Sequence, residues 1–336
     1  MLAEKCRRIA GKVSIAGSMV AITLLLGAKI TEPAVAAENA FGTYILGQAG
    51  PQAGMMPPVS GVLSTYGLFI YSGKASPTKE LPIDGNIAVD VEVTAVAGAP
   101  ILMWVPDEAI LGGRLGVYGL LPVGNVDFSG TITAPPLGSI SQSRVSVGDP
   151  QVGALLGWNS GPWHWNVGTL VNVPIGDYEL GRLDNLAFNH WSVDFHAGLT
   201  WMDPSTGLEL SARAGITIND KNSATDYKTG EEFHLEFAAL KHFSQQMNAG
   251  LVGYHYEQIS GDSGSGAALG SFKGRVTGLG PHLSVTVPVG QTPVTFAGRG
   301  FVEFNAKNRL EGVSALLSAT VPLYVSSPPP GAMPPQ

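Results

Sequence analysis

Four histidines, His164, His196, His234 and His282, share the polar face of the predicted strands. Side chains at alternate positions of a β-strand lie on one face, so these histidines could hold a metal ion or form the site of a barrel enzyme. Neither an H-E-x-x-H motif nor Cys/His metal spacing accompanies them. We therefore predict hydrogen bonding in a polar interior, with no metal and no cofactor, and keep a barrel enzyme as the alternative.

One loop carries a motif that resembles the nucleophile segment of trypsin-like serine proteases. It is "GDSG" at Gly261–Gly264, inside a Ser/Gly-rich stretch between two predicted strands. No G-x-S-x-G elbow and no matching order of histidine and aspartate accompany it. Walker-type and dinucleotide-binding glycine patterns are also missing from the strand–helix context they require. We predict no catalytic and no cofactor-binding residues.

The first 36 residues have the order of a secretory signal peptide. Basic residues precede an uncharged apolar run, Val13–Ala28, and the A-x-A cleavage pattern Ala34–Ala36 follows. A retained membrane helix is the alternative, but the run is short for a span. Cleavage would remove Cys6, the one cysteine of the chain. The exported protein would then have no disulfide and no thiol chemistry.

The composition is typical of a transmembrane β-barrel. Charged residues make up only 13% of the chain, the mean hydropathy is +0.17, and there are 44 glycines. No later run of about 18 apolar residues predicts a helical span. The net charge of −7 argues against a nucleic-acid partner.

Period-two alternation from Ser192 to Thr217 predicts two antiparallel strands around "DPSTG". Similar stretches follow one another from residue 59 to residue 325, and short and long connections take turns between them. That order is what an up-and-down barrel needs, with tight turns on one side and larger loops on the other. We predict an outer-membrane barrel of about twelve strands over 59–325, or up to fourteen if 109–134 holds an extra hairpin.

One face of these strands is too polar for a dry core, because each unpaired buried charge would cost on the order of several kcal/mol. We therefore expect the apolar face to contact lipid and the polar face to line the lumen. A secreted β-sandwich with the apolar faces packed together is the alternative. The predicted lumen-lining residues are Asp90, Glu92, Arg114, His164, Asn166, Asp194, His196, Glu209, Arg213, His234, Glu236, His282, Arg299 and Glu303.

Two segments differ from the barrel pattern. Residues 37–58 are rich in glycine and proline and show no alternation, which leaves two interpretations, a periplasmic extension or a plug inside the lumen. The apolar side chains Phe41, Tyr44 and Ile45 favour the plug. Residues 326–336 form a proline-rich tail with no capacity to form a core.

Several long motifs resemble one bacterial family. They are "VGDPQVGALLGW", the stretch from "GPWHWNVGTLVNVPIGDYELGRL" to "TGEEFHLE", "AGLVGYHYEQISGDSG" and "GPQAGMMPPVSGVLSTYGLFIYSG". The resemblance is to the outer-membrane proteins of meta-pathway phenol degradation, and it covers about 55–323. It implies a barrel that helps hydrophobic compounds to enter, with distant similarity to long-chain fatty-acid transporters. The proline-rich tail after Tyr324 departs from the usual aromatic C-terminus.

The sequence thus predicts a channel in the outer membrane of a Gram-negative bacterium. It would pass small hydrophobic or aromatic compounds by selective diffusion, with capture at loops 176–187, 219–230 and 260–271 and gating by 38–58. Its expected partners are membrane lipid, such a solute and the outer-membrane assembly machinery. A barrel enzyme and a secreted binding protein are the competing functions.

Overall fold

The computed structural model describes residues 41–75, 81–83, 86–132, 138–267 and 270–326. The predicted signal peptide lies outside this part of the chain, as does the tail apart from Ser326. All regular structure in the described residues is β-strand. Within them, no helix is long and apolar enough to cross a bilayer.

Twelve strands form the barrel, and two of them are interrupted. Two short strands, Leu81–Ile83 and Ala109–Ile110, are additions at the ends of the barrel strands. The barrel strands are β1 Gly61–Lys74, β2 Asn86–Val105, β3a Gly113–Leu120 with β3b Val123–Ile132, β4a Gly138–Val147 with β4b Gln151–Ser160, β5 Trp163–Asn172, β6 Ser192–Asp203, β7 Leu208–Asn219, β8 Glu232–Ser244, β9 Met247–Gln258, β10 Arg275–Val289, β11 Thr292–Lys307 and β12 Glu311–Val325.

The sheet closes on itself through antiparallel pairing of its first and last strands. β1 pairs with β12 from Gly61↔Val325 to Lys74↔Glu311 and with β2 on its other edge. The remaining strands pair in chain order. The predicted all-β barrel of twelve antiparallel strands is therefore confirmed. A closed sheet has no free edges at its seam, which is the condition for placing strands in lipid.

The uncertain stretch 109–134 is one strand with a break, not a strand plus a hairpin. β3a pairs with β4b, and β3b pairs with β4a. The two breaks lie side by side, and the amide of Gly148 donates to the carbonyl of Pro122 at 2.9 Å. Pro122 has no N–H for a ladder, which explains the interruption. β4a begins at Gly138, so residues 138–144 belong to a strand and not to the connection before it.

Burial shows which face each residue occupies. On β6, Phe195 and Leu199 are 56% and 47% exposed, whereas Asp194 and His196 are only 2% and 5% exposed. A β-sandwich would bury the apolar row instead. On this hairpin the apolar row therefore faces outward and the polar row inward, and the sandwich alternative is wrong.

The connections alternate in length around the barrel. Short turns follow β4b, β6, β8 and β10 at the end where Gly61 and Val325 lie. The connections at the opposite end include the long segments 173–191, 220–231 and 259–274. This is the arrangement of bacterial outer-membrane barrels, in which the short turns face the periplasm. We call the long-loop end the outer end.

Toward the outer end, β2, β3b and β4a reverse the polarity of their inward and outward faces. Their outward side chains become polar, as at Asp127 and Ser141, and the inward ones become apolar. Val93 and Phe128 belong to a buried cluster there. This inversion indicates strands that continue past the apolar band into water, where the interior becomes an ordinary dry core.

Two glycines allow the interior histidines to lie against the barrel wall. A Cβ at Gly168 would lie 2.7 Å from Nε2 of His196, and one at Gly215 would lie 2.4 Å from Nε2 of His234. Atoms cannot approach so closely without contact strain. The glycines therefore provide the space that the imidazoles occupy.

We expect Gly168→Val to destabilise the barrel by about 1–3 kcal/mol through overpacking. Its Cβ would also meet Cδ2 of Leu155 at 2.5 Å. Gly67→Ala is the control, because a Cβ there meets only the carbonyl oxygen of Ala99, at 3.7 Å. The measurement is the temperature at which the purified protein changes mobility on a gel. Equal transition temperatures for both variants would contradict the packing argument.

Candidate functional site

Residues 41–58 pass through the interior of the barrel, and we call them the inner segment. Thr43, Tyr44 and Ala53 are buried, with exposures of 4%, 6% and 2%. The segment has no strand or helix of its own. Its main-chain polar groups must therefore find partners on the barrel wall, since unpaired backbone groups are costly inside a membrane protein.

Two fully buried carboxylates accept the amides of the inner segment. Glu236 accepts from the N–H of Gly47 at 3.0 Å and of Ala49 at 2.7 Å. Glu209 accepts from the N–H of Gln52 at 2.6 Å. Hydrogen bonds to a charged acceptor are among the stronger ones in proteins. These two contacts fix the middle of the segment against β7 and β8.

Basic and amide side chains of the wall donate to the segment's carbonyls. Arg299 donates to the carbonyls of Gly47 and Gln48 at 2.9 and 3.0 Å. Asn166 and Arg213 both donate to the carbonyl of Ala53, at 2.9 and 3.1 Å. The wall thus satisfies both N–H and C=O groups of the same backbone stretch.

A chain of hydroxyls continues this network toward the short-turn end. The amide of Gly54 donates to Oγ1 of Thr200 at 2.9 Å. Thr200 lies 2.8 Å from Oγ of Ser211, which donates to Glu209 at 2.7 Å. The inner segment is therefore linked to β6 and β7 through one continuous set of hydrogen bonds.

The ends of the inner segment are also attached. Thr43 and Ser192 share a hydrogen bond of 2.7 Å between their hydroxyls, and Gln151 donates to the carbonyl of Thr43 at 2.8 Å. At the other end Arg114 donates to the carbonyl of Pro57 at 3.3 Å. The segment consequently runs from the outer half of the lumen to the short-turn end.

Asp194 forms the centre of a buried histidine cluster. Its carboxylate lies 2.7 Å from Nδ1 of His196 and 2.8 Å from Nε2 of His234, and it accepts from Thr217 at 2.8 Å. The ring of Tyr44 stacks on His234 with 3.7 Å between centroids. The structure thus brings together two of the four predicted histidines, and the contacts of this cluster join three strands and support the inner segment. In the described residues, no group of three His, Cys, Asp or Glu side chains is placed to hold a metal ion.

A second polar cluster lies toward the outer end. Glu303 accepts from the hydroxyls of Tyr71 and Tyr254 at 3.0 and 2.8 Å. Glu232 accepts from Tyr256 at 2.5 Å, and the guanidinium of Arg309 lies 4.1 Å from the centroid of the same ring. The sequence predicted Glu303 for this interior but missed the others. Glu232 continues the alternation of His234 and Glu236, and that signal would have found it.

Asp90 and Glu92 do not face the interior, so the prediction for these two residues is wrong. Both are exposed, while Val91 and Val93 between and beside them are buried. The pairing of β2 with β3b shifts between Val89 and Glu92, and Asp90 has a φ of 53°. This bulge lies where the outer face of the sheet meets water, so the polar side chains point outward.

The two remaining predicted histidines lie toward the short-turn end. His282 is 4% exposed, and its Nε2 is 3.1 Å from Oδ1 of Asn248. His164 is half-buried and pairs across the strands with Thr200. Neither joins the Asp194 cluster, so the four histidines do not form one site.

The "GDSG" loop has a structural role. Asp262 accepts from the hydroxyl of Tyr227 at 2.6 Å and from the amide of Gly230 at 3.2 Å. Beside it, Lys221 and then Ser265 bind Asp226 and hold the pKa of that exposed carboxyl well below its usual range. These contacts join two outer loops, 220–231 and 259–274.

A cavity of about 280 Å³ remains between the inner segment and the wall on the β1–β3 side. Most of its lining is apolar, and several lining polar groups already bind one another. Asp149, for example, accepts from Asn172, Gly176 and Phe188 at 3.1, 2.9 and 2.8 Å. The apolar lining includes Phe41, Ile45, Phe69, Val93, Val126, Phe128, Leu186 and Phe188.

The segment 173–191 closes the outer side of this cavity beside β4a. Asp177 donates its N–H to the carbonyl of Val147 at 2.7 Å, and Arg144 forms an ion pair with Glu179 at 3.0 Å. Leu183 is 5% exposed and packs into the apolar cluster. In the described part of the chain no strand pairs with this edge of β4a.

A solved structure of an outer-membrane channel shares this architecture. The COG4313 outer membrane channel from Pseudomonas putida F1 has a TM-score of 0.63 and 14% identity, covering 83% of this chain and 99% of that one. An FadL homologue from Pseudomonas aeruginosa has a TM-score of 0.39 and 9% identity, with coverages of 78% and 90%. At these identities the similarity to the first structure shows the fold alone.

No curated protein sequence matches the chain. A family model does match, over residues 81–319, and this range includes β2 to β11 and part of β12. The match confirms the family that the sequence motifs predicted. The protein belongs to the family described as "Putative MetA-pathway of phenol degradation".

Proposed function

We propose that the protein is a channel of the Gram-negative outer membrane that takes up small hydrophobic or aromatic compounds by selective diffusion. The observation that carries this proposal is the apolar cavity beside the inner segment, within a barrel whose outer surface is apolar. The family description, which names phenol degradation, supports the solute class. Membrane lipid is then a partner, and an exported barrel requires the assembly machinery of that membrane.

Because the inner segment occupies the lumen, the protein in its resting state is not a wide aqueous pore. Glu209 and Glu236 are fully buried and accept hydrogen bonds from its backbone, and Arg299 donates to the same backbone. What remains beside the segment is mainly apolar. An apolar passage favours uncharged solutes, because a charged one would lose its hydration without compensation except beside a wall residue of opposite charge.

We propose that the inner segment acts as a fixed plug around which solute moves. Its withdrawal would leave several buried charges without partners, each at a cost of about several kcal/mol until water replaced the segment. The cavity, in contrast, is bordered by side chains that can change rotamer. Solute would enter near the outer loops and segment 173–191 and leave toward the short-turn, periplasmic end.

Deletion of residues 38–58 should convert the protein into a wider aqueous pore. The polar interior would then hydrate, because its side chains match the lining of open barrels. Single-channel conductance in planar bilayers should rise several-fold over the full-length protein. Unchanged conductance, with the deleted barrel still heat-modifiable on a gel, would contradict the plug proposal.

Glu236→Gln should weaken the attachment of the inner segment. A neutral amide is a poorer acceptor for Gly47 and Ala49 and leaves the charge of Arg299 less compensated, at about 1–3 kcal/mol. The gel transition temperature should fall, and conductance should become noisier. Glu257→Gln is the matched control, since the side chain of Glu257 is 53% exposed. If both variants behave as wild type, Glu236 does not hold the segment.

Uptake of a labelled aromatic compound tests the function itself. Cells with the gene should accumulate it faster than cells without the gene, and cells with the 38–58 deletion should lose discrimination between apolar and polar solutes. Equal uptake of the aromatic compound in all three strains would rule out the proposed solute class.

A further inference from the structure

Arg299 forms one polar part of the cavity lining, which we call the polar end. Its Nη1 donates to the carbonyls of Gly47 and Gln48. In the described part of the chain its guanidinium makes no other hydrogen bond, and no carboxylate lies within ion-pair distance. Arg299 is among the residues that line the cavity.

Gln48 lies beside this guanidinium and also lines the cavity. Its carbonyl is held by Arg299, and the described residues include no hydrogen-bond partner for its side-chain amide. Most of the other polar side chains around the cavity are engaged, as in the pairing of Thr65 with Thr320 at 2.9 Å. Arg299 and Gln48 therefore hold much of the hydrogen-bonding capacity that is left for a solute.

The opposite part of the cavity is aromatic and aliphatic. Phe128 and Val93 are buried there, and Phe69 packs against the same cluster. A volume of about 280 Å³ is large enough for an aromatic ring with a small substituent. Such a lining would bind the ring through burial of apolar surface.

We infer that the cavity is a binding site for small aromatic compounds that carry one oxygen substituent, a hydroxyl or a carboxylate, directed at Arg299 and Gln48. This inference rests on the proposed function and adds the position and the chemical preference of the site. A solute oxygen would accept a hydrogen bond from the partly desolvated guanidinium. A plain hydrocarbon would leave the guanidinium with only the carbonyls of Gly47 and Gln48 as partners, which is the less favourable case.

Fluorine NMR on the purified full-length barrel in detergent tests the preference. The probes are para-fluorophenol, para-fluorobenzoate and para-fluorotoluene, with protein-free micelles as the blank. We expect one or both oxygenated probes to bind about tenfold or more tightly than the toluene, from one hydrogen bond to a charged group. Equal affinities for all three probes would overturn the inference.

Ala95→Phe locates the site and changes no residue that hydrogen-bonds to the inner segment. Ala95 is buried and lines the cavity, so the larger side chain should fill it and abolish binding of the probes. Val96→Phe is the control on the same strand, because Val96 is 42% exposed on the opposite face. Unchanged binding in the Ala95 variant would place the site elsewhere.

Arg299→Gln tests the polar end. The affinity ratio between the oxygenated probes and the toluene should fall toward one, a readout that does not depend on the yield of folded protein. If this variant does not fold, Gln48→Leu should lower the same ratio. A ratio unchanged in the variants that fold would refute the role of this end, while uptake of aromatic compounds in cells would still leave the channel function standing.

Discussion

An irregular backbone inside a membrane barrel must find a hydrogen-bond partner for nearly every N–H and C=O group. The inner segment meets this requirement through the wall, and the rest of the interior follows from it. Glu236 and Glu209 supply acceptors, while Arg299, Arg213 and Asn166 supply donors. The polar rows of the strands are therefore mainly a complement to one stretch of backbone.

The same requirement shapes the barrel wall. Side chains large enough to reach the inner segment or to support it need space at the wall, and Gly168 and Gly215 provide it beside two histidines. On the β1–β3 side the wall presents smaller or apolar residues such as Ala95 and Phe69, and the cavity remains there. The interior is thus divided into a hydrogen-bonded side and an apolar side, and this division is the basis of the proposed selectivity.

The fold could be predicted from the sequence because the alternation of polar and apolar residues is a local signal. In a membrane, contact with lipid fixes which of the two faces points outward. The β6–β7 hairpin shows this, since Phe195 faces outward and Asp194 inward as expected. The rule failed at Asp90 and Glu92, where a bulge shifts the phase and the outer face of the sheet meets water. The pairing of Glu236 with Gly47, 189 residues apart, has no local signal. Periodicity does not report contacts between a side chain and a distant stretch of backbone. The sequence therefore predicted the four histidines as one group, whereas the structure separates them.

The wall holds the inner segment almost entirely by its main chain, at Gly47, Ala49, Gln52, Ala53 and Gly54. Substitution of side chains that take no part in these bonds leaves the attachment intact. Phe41, Ile45 and Gln48 turn such side chains toward the cavity. Substitutions at these few positions can therefore change which solutes the protein admits, while the twelve strands of the barrel stay the same.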